Sequence, residues 1–133
     1  MATLAKFDVL TSLGPETRTS ASAAATTYSG AAVNLASYTN PGRRQLKAIL
    51  SVGSITSTGT LNIKIQESTT TGEAGFSDIS GATFTATASS GSLTGSETIH
   101  FRTNNQYVRA ISVITNTGQL EHGVYVVAEK KLV

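Results

Sequence analysis

The sequence predicts an all-β fold, a two-layer antiparallel β-sandwich, on three observations. Short runs of alternating apolar and polar residues recur along the chain, and Thr, Ser and Gly cluster between these runs. No stretch repeats apolar residues at helical spacing over a dozen positions. We expect a jelly roll first and an immunoglobulin-like Greek key second, because strand number alone does not separate the two topologies.

The first predicted strand opens the chain, with Phe7, Val9 and Leu13 on one side. We expect it to stop at the Gly-Pro dipeptide at 14–15, because proline has no N–H for the ladder. Residues 17–30 are small and polar, and their many hydroxyl side chains count against a helix. We interpret them as an extended, partly exposed segment.

The middle of the chain carries the clearest strand patterns. A short apolar anchor precedes a predicted turn over residues 40–42, where Pro presets one turn dihedral and Gly takes a positive one. Predicted strands follow over residues 45–54 and 60–68, each with one apolar face. The apolar residues are Val33, Leu35 and Tyr38 in the anchor, Leu46, Ala48, Leu50 and Val52 on the first strand (with Ile49 opposite), and Leu61, Ile63 and Ile65 on the second.

Four later strands are predicted over residues 82–88, 97–103, 106–115 and 123–132. Phe84 is the main apolar residue of the first of these, and Ile99 and Phe101 face inward from the second. Asn104 and Asn105 are predicted to join the second to the third in a tight hairpin, because Asn tolerates the left-handed backbone conformation that such a turn requires.

Composition narrows the classes of function. The chain has 133 residues, which suits a single domain over 1–133. Charged residues make up 14% and the formal net charge is +2, which argues against a nucleic-acid partner. The chain has no Cys, which excludes disulfides and thiolate metal sites, and no Trp, which argues against a stacking platform. No run suggests a signal peptide or a membrane span, so we expect synthesis in the cytoplasm and no membrane partner.

Candidate catalytic groups are few. His100 lies between Ile99 and Phe101 and should therefore point out of the sheet. His122 is predicted in a turn before the last strand, where it and Glu121 fall short of a metal coordination sphere. No nucleophile elbow or phosphate-binding glycine motif occurs. We therefore expect a protein that is not an enzyme and has no catalytic residue, cofactor or metal.

Two features are candidates for contact with a partner. Arg43 and Arg44 follow the predicted turn, where they either cap it and aid solubility or pair with an acidic partner surface. Phe76 is either a loop anchor folded onto the core or an exposed aromatic of an interface.

Several motifs between residues 33 and 115 resemble, in their order, those of small structural proteins of tailed bacteriophages. A strand ending in Gln-Glu-Ser leads to a polar loop, then an aromatic closely followed by Asp-Ile, a Gly-Ala-x-Phe strand and a Tyr-Val-Arg-Ala strand. These motifs are Gln66-Glu67-Ser68, Phe76-Ser77-Asp78-Ile79, Gly81-Ala82-Thr83-Phe84 and Tyr107-Val108-Arg109-Ala110, with AVNLASY at 32–38 before them. The resemblance is to the capsid decoration, or cement, family, and none of the motifs is a catalytic signature.

The resemblance implies a virion protein that binds the outside of the major capsid protein lattice and stabilises the head. Its partners would be the major capsid protein and itself, as a trimer or, second, a dimer. Residues 1–8 and 17–30 are candidate arm segments that reach a neighbouring subunit. The candidate contact residues are Ala2, Thr3, Leu4, Lys6, Arg43, Arg44 and Phe76.

Two alternatives remain open at the level of sequence. A tail-tube, head-completion or adaptor protein of the same virion can share a sandwich fold, so the fold alone does not decide. A non-enzymatic receptor- or carbohydrate-binding module would expose more aromatic side chains than the four Phe and four Tyr that this chain supplies.

Overall fold

The computed structural model describes residues 7–20, 26–38, 46–56, 60–84, 95–115 and 118–129, and this part of the chain is almost entirely β-structure. One short 3-10 turn, Glu73–Gly75, precedes β6. The nine strands of these residues are β1 (Phe7–Ser20), β2 (Thr26–Ser29), β3 (Val33–Asn34), β4 (Leu46–Thr56), β5 (Thr60–Ser68), β6 (Ser77–Thr83), β7 (Gly95–Phe101), β8 (Tyr107–Thr115) and β9 (Gly118–Glu129).

The strands form two antiparallel sheets, which confirms the predicted β-sandwich. Sheet A has the order β1-β9-β4-β7, and sheet B has the order β2-β8-β5-β6, with β3 also paired to β8. Because β2 and β3 pair with successive parts of β8, they count as one interrupted strand. The sheet orders are then 1-8-3-6 and 2-7-4-5, which is the arrangement of a jelly roll. This order excludes the immunoglobulin-like alternative, whose sheets pair more strands that are consecutive in sequence.

The core lies between the sheets and is built from the inward faces of the central strands. Leu50, Ile63 and Ile65 are completely buried, and burial of such a side chain contributes about 1.5–3 kcal/mol. The alternation predicted for the two middle strands and the burial of the apolar anchor before them are confirmed. The buried residues of the anchor and these two strands are Val33, Leu35, Tyr38, Leu46, Ala48, Leu50, Val52, Leu61, Ile63 and Ile65, and the predicted inward residue Phe101 is also buried.

The first strand differs from its prediction in length and in facing. It continues past residues 14–15 to Ser20, because its register against β9 shifts twice, once on each side of Leu13. The first extra residue, Ser12, moves Leu13 to the core side, while Phe7 and Val9 stay on the outer face with 59% and 64% of their surface exposed. A bulge leaves residues out of the ladder, so the missing N–H of proline has no cost there.

The chain segment around Phe84 also differs from its prediction. The strand is β6, Ser77–Thr83, and not residues 82–88, of which those after 84 lie outside the described residues. Phe84 follows the strand, is buried, and donates its N–H to the carbonyl of Ile63. Gly81 has a φ of 79° inside β6, at an irregularity in its pairing with β5. Ser, Thr and Gly dominate this strand, so its sequence has little alternation to detect.

The predicted hairpin at Asn104 and Asn105 is wrong. These residues connect β7 to β8, and the two strands belong to different sheets. The connection therefore crosses the sandwich, and Thr103 lies buried within it. A polar pair between two apolar runs gives the same sequence signal for a hairpin and for a crossover.

The candidate arm segments lie partly in the sheets. Residues 7–8 and 17–20 belong to β1, and residues 26–29 form β2. Residues 1–6 and 21–25 lie outside the described residues, so arms that reach another subunit stay a prediction. No helix in the described ranges is long and apolar enough to cross a membrane.

Candidate partner-contact surfaces

Phe76 is the one predicted contact residue whose surroundings the structure describes. It lies half-buried between the 3-10 turn and β6, and its ring centroid is 4.2 Å from Cζ of the Arg109 guanidinium. This packing makes it an anchor of its loop, and its contact with a partner stays a prediction. The other predicted contact residues lie outside the described residues: Ala2, Thr3, Leu4, Lys6, Arg43 and Arg44.

Arg109 is the centre of a polar network on the outer face of sheet B. It points outward from β8, between the inward residues Val108 and Ala110, yet only 8% of it is exposed. Its Nε donates to Oε1 of Gln66 at 3.0 Å, and its Nη1 donates to the Glu73 carboxylate. The charged hydrogen bonds and the contact with the aromatic face of Phe76 offset the free-energy cost of removing water from the guanidinium.

The network continues to both sides of Arg109. The Glu73 carboxylate also accepts from Oγ of Ser29 at 3.1 Å, which ties β2 to the 3-10 turn. Asp78 accepts from Nζ of Lys64 at 2.7 Å and from Nε2 of Gln66 at 2.8 Å. The hydrogen bond from Arg109, with that from Ser29, lowers the pKa of Glu73, and the hydrogen bond from Lys64, with that from Gln66, lowers the pKa of Asp78. We call these residues the Arg109 network: Ser29, Lys64, Gln66, Glu73, Phe76, Asp78 and Arg109.

Sequence reasoning missed this network because strand register creates it. Gln66 and Arg109 lie directly opposite each other on β5 and β8. Both occupy outward positions of their strands, which the alternation could have indicated. Nothing in the sequence shows that β5 and β8 are neighbours, nor that the loop after β5 folds back over them.

His122 is buried inside the sandwich, and the predicted turn around it is wrong. It belongs to β9, which begins at Gly118, and only 1% of it is exposed. Glu121 is exposed, and a Cβ on Gly53, in the neighbouring strand β4, would collide with its side chain. Adjacent strand residues point to opposite faces, so these two side chains cannot share a metal ion.

A serine and His122 form a hydrogen-bonded pair between the sheets. The Nε2 atom of His122 lies 2.8 Å from Oγ of Ser112 on β8. A serine beside a histidine is the arrangement of an activated nucleophile. Both residues are at most 1% exposed, so no substrate can reach the hydroxyl, and the pair links sheet A to sheet B.

A buried arginine fixes the bulge of β1. Arg18, which is 5% exposed, donates to the carbonyl oxygens of Gly14 at 2.8 Å and His122 at 2.7 Å. It also pairs with the Glu16 carboxylate at 3.2 Å and lies 5.9 Å from the ring centroid of Tyr28. Backbone carbonyl groups at the bulge thus accept hydrogen bonds from a charged donor.

Ser12 provides a second link between the sheets. Its hydroxyl donates to the carbonyl of Ala31 at 2.9 Å and accepts the N–H of Ala110 at 2.8 Å. A Cβ on Gly30 would come within 2.8 Å of the Ser12 carbonyl oxygen, so only glycine fits this close approach.

A polar cleft of about 290 Å³ is lined by Glu67, Arg102, Thr103 and Asn104. The Glu67 carboxylate accepts a hydrogen bond from the Thr103 hydroxyl. One carboxylate and one guanidinium can hold a small polar molecule, but these four residues include neither a histidine nor a second carboxylate for acid–base chemistry. Within the described ranges, no group of three or more His, Asp or Glu residues could hold a metal ion.

Comparison with known proteins shows a partial likeness to a solved viral structure. No protein-family model matches the chain, and no curated protein matches it in sequence. A solved chain in the structure of infectious bursal disease virus, Gx strain, resembles it with a TM-score of 0.47 and 10% sequence identity. The match covers 98% of this chain and 37% of that chain, so this chain spans little more than a third of the other's length.

The described polar clusters thus serve the packing of the domain. The Arg109 network holds a loop on the outer face of sheet B, while Arg18, Ser12 and the Ser112–His122 pair join strands. In the described residues, every buried side-chain nitrogen and oxygen has a hydrogen-bond partner.

Proposed function

We propose that this protein is a virion structural protein, a capsid decoration protein that binds the outside of the major capsid protein lattice and stabilises the head. One observation carries the proposal. The motifs that resemble the decoration family supply Gln66, Phe76, Asp78 and Arg109, and these four side chains meet in the Arg109 network. Side chains from motifs that are far apart in sequence contact one another here, so the fold constrains these motifs together. This supports a true relationship to the decoration family over a chance similarity of strand sequences.

The physical properties of the domain suit this role. A decoration protein has to stay folded on the exterior of a particle, and satisfied buried polar groups stiffen a domain. Repeated copies on a lattice turn modest single contacts into lasting attachment. The jelly roll also occurs in lectins and cupins, so the fold supports the proposal only together with the motifs.

The test is the number and position of copies in purified virions of the virus that encodes the protein. We expect quantitative mass spectrometry to find a fixed, high ratio to the major capsid protein, and a particle reconstruction to place the domain on the outer shell. A single ring at the neck or tail would make it an adaptor or tube protein. Absence from the particle would overturn the virion role.

A binding experiment tests the stabilising action separately. Purified full-length protein is added to shells that lack it, followed by sedimentation and by heating of the particles. We expect saturable co-sedimentation and a higher temperature of shell disruption. Saturable binding without any rise in that temperature would contradict the cement role. Binding to an array of glycans in place of shells would favour the carbohydrate-binding alternative.

A further inference from the structure

The chain has two histidines, and the fold places them in opposite environments. His100 lies on β7 and is exposed on the outer face of sheet A. His122 lies on β9 and faces the space between the sheets, where only 1% of it is exposed. Imidazole is the side chain whose ordinary charge change falls near neutral pH, so the surroundings of the buried ring decide how the fold responds to mild acid.

His122 connects three strands at one end of the sandwich. Its Nε2 atom lies 2.8 Å from Oγ of Ser112, which belongs to β8 in the opposite sheet. Its carbonyl oxygen accepts a hydrogen bond at 2.7 Å from the buried Arg18 guanidinium, which belongs to the edge strand β1. A change at this one residue therefore acts on the contact between the sheets and on the bulged end of β1.

The groups that face His122 do not favour a second positive charge. On β1, Arg18 places a guanidinium at the backbone of His122, and Glu16, opposite His122 in the register, pairs with that guanidinium at 3.2 Å. The Glu16 side chain is 66% exposed, so water screens its charge. On β4 the residue opposite His122 is Val52, and β8 presents the hydroxyl of Ser112. The partners on β4 and β8 are thus uncharged.

The neutral imidazole suits this site better than the imidazolium does. A serine hydroxyl can hydrogen-bond to either form, because it donates to a bare ring nitrogen and accepts from a protonated one. It brings no negative charge, however, and burial away from water disfavours the charged form of a histidine. The added proton would place a buried cation close to the Arg18 guanidinium.

We propose that the Ser112–His122 pair is an acid-sensitive link between the two sheets, and that uptake of a proton by the imidazole opens the sandwich at this end. The end of β1 that holds Arg18 opens with it, because the guanidinium is hydrogen-bonded to the His122 carbonyl. Water then reaches the ring and solvates its charge. This inference does not depend on the proposed capsid role.

The link makes stability fall as the pH falls through the histidine range. An imidazole in the unfolded or opened chain is solvated and takes up its proton at an ordinary pKa of about 6.5, whereas the closed fold resists protonation of His122. The unfolded chain therefore binds more protons than the closed fold in this range, so the free energy of unfolding decreases on acidification. The window lies above the carboxyl range in which Glu73 and Asp78 act.

The first test is urea unfolding of the full-length chain at a series of pH values between about 7.5 and 5.5, on either side of the ordinary histidine pKa. We expect the unfolding constant of the wild type to rise by up to about tenfold for each pH unit below that pKa. His122→Gln should lose this rise, because its amide can hydrogen-bond to Ser112 but takes up no proton. His100→Gln is the matched control and should follow the wild type. Equal pH dependence of all three proteins would overturn the proposal.

The second test follows the two imidazoles of the wild type by NMR over the same pH range, and it decides the question even if His122→Gln does not fold. We expect the ring signals of His100 to shift smoothly with pH. Those of His122 should keep the position of the neutral ring while the domain stays closed. A smooth titration of His122 inside an unchanged fold would overturn the proposal.

Amide hydrogen exchange tests where the opening occurs. As the pH falls through the histidine range, residues 16–19 and 119–122 should lose protection relative to the central strand β5, which serves as the internal reference. Using a ratio within one protein removes the intrinsic effect of pH on exchange. An unchanged ratio would overturn the local opening, because it would mean that the two regions respond to acid alike.

Discussion

At the scale of single residues, Arg109 shows how one side chain can fix a loop that has almost no core of its own. The 3-10 turn Glu73–Gly75 contains no buried residue. It stays on sheet B through the Glu73 carboxylate and through Phe76, both of which contact the same guanidinium. The free-energy cost of burying the Arg109 guanidinium is therefore compensated only when the loop is ordered on sheet B.

Replacing Arg109 by alanine should destabilise the domain. Arg109→Ala removes the charged hydrogen bonds to Gln66 and Glu73 and the stacking on Phe76, so the free energy of unfolding should fall by about 1–3 kcal/mol. Arg102→Ala is the control, because Arg102 is exposed and has no hydrogen bond or ion pair in the described structure; its effect should stay within about 0.5 kcal/mol. Urea unfolding of both variants is the measurement, and equal stabilities would contradict the role of the network.

The two carboxylates of the network predict a dependence of stability on pH. The pKa of Glu73 and that of Asp78 are lower in the folded protein than their ordinary values of 4.5 and 3.8. The unfolded chain therefore binds protons first as pH falls, so the stabilisation is complete above the ordinary values and is lost through the lowered ones.

This dependence can be measured from the midpoints of urea unfolding at a series of pH values between neutral and acid. The free energy of unfolding of the wild type should fall as the pH drops below the ordinary pKa values of carboxyl groups. A Glu73→Gln, Asp78→Asn double variant should be less stable at neutral pH and lose less on acidification, because its amides cannot take up the protons. Parallel curves for the two proteins would show that other groups control the acid response.

At the scale of elements, Gly81 determines the backbone path of β6. Its φ of 79° is in the left-handed region, which costs an L-residue with a Cβ roughly 1–2 kcal/mol. Gly81→Ala should lower the free energy of unfolding by about this amount. Gly72→Ala is the matched control, because Gly72 has a φ of −69° and a Cβ there would meet nothing closer than 3.8 Å. Equal losses in the two variants would show that backbone conformation at Gly81 is not the cause.

The strands also show which sequence patterns were sufficient to predict their position and facing. β4 and β5 follow from alternation, because aliphatic residues occupy the inward positions over residues 46–52 and 61–65, while the outward positions, apart from Ile49, are mainly polar. β1 could not be predicted over its full length, since its bulges reverse the facing of Leu13 relative to Phe7. The start of β9 was missed because polar residues precede Val124, and with it the burial of His122 was missed.

At the scale of the whole molecule, the candidate surfaces depend on the order of strands, which the sequence does not contain. The fold class followed from pattern alone, but the network around Arg109 requires β5 beside β8, and the outer face of sheet A requires β1 and β4 on either side of β9. Phe7 and Val9 illustrate the limit. Their spacing correctly placed them on one side of a strand, and only the fold decided that this side is the outer one.

The strand order predicts how protection from hydrogen exchange is distributed. Among the described strands, β9, β4, β8 and β5 are paired on both edges, whereas β1, β7, β2 and β6 are each paired on one. Amides of the central strands should exchange only through global opening, and those of the edge strands also through local fraying. Native-state exchange should therefore rank the four central strands slowest in both sheets, and in Arg109→Ala the added exchange should concentrate in residues 69–76. A uniform increase across both sheets would show that Arg109 stabilises the domain as a whole and does not specifically hold this loop.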